Sequence, residues 1–416
     1  MPRKKILTFD LPGFFKQTFT ALKYRNYRLW FWGQMVSLFG TWMQMTAQGY
    51  LVYELTHSAF SLGYLGFAAG APTWLFTLYG GIISDRMSRR RLMIITQSVM
   101  MVLSFILAGL VFAGRIKPWH NYLIAFAMGI ANAFDSPARL AVVVELVEQE
   151  DLTNAVALNS TMFNTASAVG PAAAGIIYGL WGPGWCFLIN GLTFIAVLAS
   201  LILMRLSPIA YPVEKTSIWS DLKEGLRYVA LHPIIRIIMG IVAVNSLLRF
   251  SSFTLIPAWA VKILHGDAAT NGLLRSALGL GALAGALYIA SLGRFNYKGK
   301  LLILGTILSP LVMLAFAFIH WLPLSLFTLA VSGAAGILVM NLSNALVQTQ
   351  ARNALRGRVM SVYSLIFFGF MPVGSLLVGL LAEALGEPAA MIIFSVLGLL
   401  FALGVWLRVP ALSKQS

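Results

Sequence analysis

Stretches of about twenty residues without one charged side chain recur along this chain, and Leu92 to Gly114, Leu301 to Ile319 and Pro388 to Leu407 are three of them. That is the length an α-helix needs to cross the hydrocarbon core of a bilayer. Water is absent there, so a crossing segment must satisfy its own backbone, which unbroken apolar runs do as helices. Charged residues make up 11% of the 416-residue chain, against roughly 25% in soluble domains. Water is therefore not the main solvent of this fold.

Hydropathy predicts spans at about 29–53, 60–83, 92–113, 120–138, 155–180 and 185–205, then at about 234–260, 271–292, 301–319, 322–346, 359–382 and 389–408. The fold class read from this is an all-α membrane protein, twelve transmembrane helices in two six-helix bundles. Residues 1–28 form an N-terminal segment, 29–206 the first bundle, 207–233 a linker, 234–408 the second bundle and 409–416 a tail. Within the linker, Ile218, Leu222, Leu226 and Val229 recur at helical spacing among Asp221, Lys223, Glu224 and Arg227, which predicts an amphipathic helix lying along the membrane surface. The halves also echo each other. Gly170-Pro171 and Gly175 fall on the fifth span, and Met371-Pro372-Val373-Gly374 on the eleventh.

Short translocated loops are depleted in Lys and Arg. Alternate loops here differ accordingly. One set carries Arg3 to Lys5, Arg86 with Arg89 to Arg91, Arg139, the linker, Arg294 with Lys298 and Lys300, and Arg352 with Arg356 and Arg358. The other carries Arg115, Lys117, Lys262 and, at its margin, Arg275. Both termini are expected in the cytoplasm and the chain in a bacterial inner membrane. The net charge of +16 is then a product of topology and gives no ground for nucleic-acid binding.

The single cysteine, Cys186, excludes an intrachain disulfide, and five scattered histidines lack metal-site spacing. No phosphate-binding loop is present, so direct nucleotide drive is not expected. No cofactor is expected, no enzyme triad can be picked out by spacing, and, with no apolar region and small-residue cleavage site following Arg3 to Lys5, no cleaved signal peptide is expected.

After the second span the chain reads Gly81-Ile-Ile-Ser-Asp85-Arg86-Met-Ser-Arg89-Arg90-Arg91. An acid followed by clustered bases can dock on the N-terminus of a neighbouring helix as a breakable latch, or serve only as a positive-inside anchor. The loop resembles the signature of the major facilitator superfamily, Gly-x-x-x-Asp-Arg-x-Gly-Arg-Arg, with Ser88 where glycine is usual. Leu51 to Ala59, Asp135-Ser-Pro137-Ala-Arg139, Glu145-Leu-Val, Leu152 to Ser160, Gly170-Pro171 and Arg356-Gly-Arg-Val-Met-Ser are similar to the branch holding enterobactin and macrolide exporters. The resemblance implies export of a small amphipathic or anionic molecule, drug-like or siderophore-like, coupled to proton entry, by a monomer embedded in the bilayer; the alternatives are an importer or lipid flippase of the same fold, or a non-transporting membrane receptor or membrane enzyme. It also implies a cytoplasmic gate formed by Asp85, Arg86, Arg89 and Arg90 against the start of the eleventh helix near Arg356 and Arg358. Gly170, Pro171 and Gly175 resemble the exporters' antiporter motif. Ordinary close packing gives the same residues.

An ionisable residue within a span is a functional candidate by default. Asp135 either carries a coupling proton or joins the gate with Arg139, and its depth near the basic loop favours the gate. Arg249, deep in the seventh span, either holds an anionic group or snorkels to the interface. Gln34, Gln44 and Gln48 on the first span, Asn245 on the seventh, and Asn341 and Asn344 on the tenth complete the expected substrate cavity, because helices one, four, seven and ten line it in the superfamily. Each could instead bond only to neighbouring helices.

Overall fold

The computed structural model describes residues 19–205, 218–292 and 297–408, and only the backbone at 78, 82, 84–86, 218 and 219. The cluster Arg3 to Lys5, Arg294, the linker before residue 218, the tail 409–416 and the side chains of Asp85, Arg86 and Ile218 lie outside the described residues. Those described are almost wholly helical. They form α1 (Arg25–Thr56), α2 (Ala59–Arg86), α3 (Arg89–Phe112), α4 (Pro118–Leu146), α5 (Leu152–Trp181), α6 (Pro183–Leu203) and a short α7 (Ile218–Leu231). After these come α8 (Pro233–Ile263), α9 (Ala268–Ser291), α10 (Lys298–Phe316), α11 (Leu322–Gln350), α12 (Arg356–Leu385) and α13 (Glu387–Arg408).

Eight of these, α3, α6 and α8 to α13, are long and apolar enough to cross a membrane. α1, α2, α4 and α5 pack with them. Large apolar side chains such as Leu140, Ile176, Leu180, Ile202, Phe327 and Leu400 stand exposed along the helix shafts. That would be costly in water and is neutral in lipid. We call the face where α1 begins basal and the opposite face distal. Trp119, Trp181, Trp185 and Trp321 are exposed at the distal ends of α4, α5, α6 and α11, where an indole bridges hydrocarbon and water.

Local signals repeat between the halves. His57 after α1 and His265 after α8 both take left-handed φ of 50°, which ends a helix by turning its last carbonyls. The next helices are capped by side chains, Ser58 Oγ accepting from the Ser61 amide and Asp267 Oδ1 from the Thr270 amide. Hydrogen bonds from Thr270 hold the Asp267 carboxyl below its ordinary range, so this cap persists at neutral pH and is lost as acid protonates it. α5 and α12 stop at Gly182 (φ 87°) and Gly386 (φ 90°), where a side chain would be strained. Prolines 183 and 388 then open α6 and α13.

The packing repeats as well. α2 lies on α4 as α9 lies on α11; α3 lies on α4 and α6 as α10 lies on α11 and α13; α1 lies on α5 as α8 lies on α12. Two contacts of the same kind join the halves, α5 against α9 and α2 against α12. Both are seams of small residues. A Cβ on Gly272 would stand 2.4 Å from the Pro171 carbonyl oxygen, and one on Gly63 2.5 Å from that of Ser375. Gly279 and Gly70 extend the seams toward Ser167 and Pro372. Backbones approach this closely only where side chains are absent.

α7 covers 218–231 of the segment where the sequence predicts an amphipathic helix. It docks on protein through Tyr228 and Val229, buried in the second-half core, and leaves Leu226 and Leu231 exposed. Arg358 at the start of α12 ties it down, pairing with Asp221 at 2.8 Å and with Glu224.

Packing at glycine is testable. A Cβ on Gly281 would overlap the Ala330 carbonyl on α11, whereas one on Gly404 meets nothing within 4 Å. Gly281→Leu is expected to cost about 1–3 kcal/mol and to lower the thermal unfolding midpoint in detergent, while Gly404→Leu leaves it unchanged. Equal losses would contradict the packing.

Candidate functional site: a basal cavity and its polar surroundings

Apolar clusters show where the halves meet. Two are confined to one half each, one running from Ala21 through Trp30 and Val142 to Met204, the other from Tyr228 through Leu346 and Val359 to Val405. Both sit mainly on the basal side. Three others cross between halves at the distal side. They combine Tyr53 and Leu62 with Ala258, Ala59 with Trp259 and Val378, and Ala268 with Leu51 and Tyr178. Polar ties reinforce them, Glu383 on α12 accepting from Ser58 Oγ (3.0 Å) and the Phe60 amide (3.2 Å). Among the described residues the halves are therefore sealed distally and separate basally.

On the basal half of α11 and α12 a cavity of about 440 Å³ is lined by Asn341, Asn344, Gln348, Thr349, Tyr363 and Met340. Asn344 accepts from Gln348 Nε2 at 2.6 Å, and Tyr363 donates to the Met340 carbonyl. Five of the seven lining side chains thus carry amides or hydroxyls that can hydrogen-bond a small molecule.

Asn341 and Asn344 thus come together in one cavity; the other predicted lining residues lie elsewhere. Gln44 accepts from Asn190 on α6 (2.7 Å) and donates to Met128 Sδ on α4, while Gln48 donates to the Asn121 carbonyl. Both are buried among helices of the first half, as is Gln34. Asn245 and Arg249 line a separate small cavity with α10, α11 and α13. They occupy the interior of the second half.

Arg249 lies on a π-helical turn, Asn245–Phe250, a distortion common at functional positions. It is 93% buried, its exposure being 7%. It donates to the Ser332 carbonyl at 2.5 Å and lies over the rings of Phe250 and Phe253 at 4.8 and 4.9 Å. Gly336 makes room for it, since a Cβ there would stand 2.1 Å from Nη1. It pairs with no described carboxylate. Two desolvated cation–π contacts supply about 2 kcal/mol each, against a burial penalty of several kcal/mol for an unpaired ion.

Of the gate residues, Asp85 and Arg86 have no described side chains. Ser88, where the superfamily has glycine, takes φ −51° at the start of α3, open to any residue, so the serine brings no backbone strain. Arg89 donates to Glu145 (2.6 Å) and the Ala141 carbonyl on α4, and Arg90 to the Ile202 carbonyl on α6. Asp135 is buried on α4, accepting from Thr96 Oγ1 (2.9 Å) and Gln97 Nε2 (3.1 Å), with Arg139 at 3.9 Å. Arg356 donates to Asn353 and Arg358 holds α7. These contacts stay within one half. Gly170 rests against Trp42 and Phe39 on α1, while Pro171 and Gly175 form the α5–α9 seam.

Sequence reasoning named Glu145 only within a string shared with the exporter branch and missed its place opposite Arg89, because it lies beyond the predicted end of the fourth span. It also left Arg275 at the margin of a distal loop. The structure places Arg275 eight residues into α9, near Gly49 of α1 and with Nη2 3.4 Å from the Phe253 carbonyl. A charge inside the predicted span 271–292 was the available signal. Cys186 is buried. Glu54 is exposed and accepts from Tyr178.

The family model described as transmembrane secretion effector matches residues 16–416. The chain is 25% identical to the staphyloferrin A transporter of Staphylococcus aureus over 366 residues, covering 86% of this chain and 89% of that one. It is 26% identical to the multidrug efflux pump Tap of Mycolicibacterium fortuitum over 368 residues, with the same coverage. The fold is similar to a bacterial homologue of the human lysosomal transporter Spinster in an inward-facing, unoccupied conformation, with TM-score 0.74 and 11% identity over 94% of this chain and 98% of that one. This multi-span membrane protein belongs to the transmembrane secretion effector family of major facilitator transporters.

Proposed function

We propose that the protein is a proton-coupled exporter of small amphipathic or anionic molecules, drug-like or siderophore-like, working by alternating access. One observation carries this reading: shared apolar cores and small-residue seams close the distal side, while separate cores leave a polar cavity toward the basal side. Loading from the basal side and release across the distal seal is the cycle such a shape serves. The basic loops lie basally, which supports termini in the cytoplasm of a bacterium, an inner-membrane location and cargo entry from the cytoplasm. The repeated packing supports twelve crossings in two six-helix bundles, and the same fold serves a monomer. The names of two relatives, one for staphyloferrin A and one for multidrug efflux, support the cargo class.

In this reading Asp85, Arg86, Arg89 and Arg90 form half of a basal gate that meets Arg356 and Arg358 when the basal side closes. Asp135 and Arg139 stiffen the helix pair behind it. Glu145 keeps Arg89 docked on α4 meanwhile. Asn341 and Asn344 touch cargo first.

In proteoliposomes with an acidic lumen, uptake of ethidium or staphyloferrin A is expected to accelerate and to fall to the leak rate when a protonophore collapses the gradient. A rate indifferent to the gradient would remove proton coupling, and cargo moving with the protons would make the protein an importer. Asp85→Asn is expected to cut this flux at least tenfold with unchanged membrane insertion; full flux would remove the gate assignment. Glu145→Gln deprives Arg89 of a partly buried counter-charge and is expected to cost about 3 kcal/mol, read as a lower unfolding midpoint in detergent. An unchanged midpoint would show the pair to be dispensable.

A further inference from the structure

The cavity beside Arg249 poses a problem that neither the gate nor the basal cavity solves. It measures about 30 Å³, room for one or two waters, and lies between α8, α10, α11 and α13. Its polar wall consists of Asn245, Arg249, Ser252, Thr306, Ser309 and Ser395. Ser252 and Thr306 spend their hydroxyl protons on carbonyls of their own helices, those of Leu248 (2.6 Å) and Leu302 (2.7 Å). Arg249 Nε and Nη1, Asn245 Nδ2 and Ser309 Oγ find no hydrogen-bond partner among the described residues. All four can donate. No carboxylate among the described residues answers them, and an arginine does not lose its charge in proteins.

The matching place in the first half makes the contrast plain. There Gln44 on α1, Ser104 on α3 and Asn190 on α6 bond one another, Asn190 Nδ2 donating to Gln44 at 2.7 Å and to Ser104 at 3.3 Å. That cluster is neutral and satisfies itself. In the second half Ser309 and Ser395 lie on the helices that correspond to those of Ser104 and Asn190, and α8, which corresponds to α1, carries the charged Arg249. Unpartnered donors line the cavity beside neutral hydroxyl and amide oxygens, and one unit of negative charge is missing.

We propose that this cavity is a binding site for a small monovalent inorganic anion, with chloride the cellular species that fits. The anion is the buried counter-ion of Arg249, accepting from its Nη1 and Nε, from Asn245 Nδ2 and from Ser309 Oγ. The cavity's size excludes a cargo carboxylate with its attached carbon frame, so the site is distinct from the transport cavity and does not rest on the export reading. Its effect is to brace the π-helical turn of α8 against α10, α11 and α13, so chloride stabilises the second half without being transported.

The test uses the full chain in detergent, with sodium chloride exchanged for sodium gluconate at constant ionic strength. The unfolding midpoint is expected to rise by several degrees across the millimolar chloride range. Crystals grown in bromide are expected to show anomalous density within hydrogen-bond distance of Arg249 Nη1. Arg249→Met is expected to abolish the chloride dependence. Should that variant fail to fold, Ser309→Ala and Asn245→Ala are each expected to raise the chloride concentration for half-maximal stabilisation about threefold to tenfold. Identical midpoints in chloride and gluconate, density for water alone, or chloride dependence that persists in Arg249→Met would overturn the site. None of these outcomes touches proton-driven flux, so failure here is distinguishable from failure of the transport reading.

Discussion

The two halves hold to each other by backbone contact. At Gly63 against Ser375 and Gly379, and at Gly272 against Pro171 and Gly175, a Cβ would stand within about 3 Å of the opposing chain. Lipid is as apolar as leucine, so burial drives little association between membrane helices, and close van der Waals contact does it instead. Such contact is short-ranged. It fixes the halves where small residues line both helices, and lets them part where side chains grow larger, as at Val156, Phe163, Leu287 and Tyr288 on the basal reaches of α5 and α9. A distal seal and a basal cavity result from where the glycines and alanines fall. The cross-half cores around Tyr53 and Trp259 then exclude water from the seal.

Much of this was legible in the sequence, because hydrocarbon imposes a length on every crossing segment and a charge bias on every loop. The signals at the distal turns, His57 with Ser58, His265 with Asp267, Gly182 and Gly386, act within four residues and so can be read locally. Rotation of a helix about its axis is different. Gln44 and Gln48 lie on the first span as expected, yet their faces are decided by Asn190, Met128 and Asn121 on other helices. The π-helical turn at Asn245–Phe250 adds a residue to one turn and rotates the remainder of the helix by about 100°. Arg249 lies within that turn, buried in the second half with Asn245 beside the same small cavity.

Buried charge is handled differently in the two halves. Asp135 is surrounded by a hydroxyl, an amide and a nearby guanidinium, and Arg89 has the Glu145 carboxylate. These satisfy the demand that an intramembrane ion be paired or bonded. Arg249 has a carbonyl and two rings, which orient it without neutralising it. These charges sit on α3 and α4 in the first half and on α8, the counterpart of α1, in the second, so the repeat that shapes the fold does not dictate the chemistry inside each half.

If the halves rock about seams that must open distally, then fixing the distal end must stop transport. In a Cys186→Ser background, cysteines replacing Ser58 and Glu383, whose side chains touch at 3.0 Å, can be joined by a short thiol-reactive crosslinker. The crosslinked protein should retain its fold and lose flux of whatever cargo the uncrosslinked double variant moves, while release of a cleavable linker restores it. Undiminished flux with the distal ends covalently joined would contradict the account.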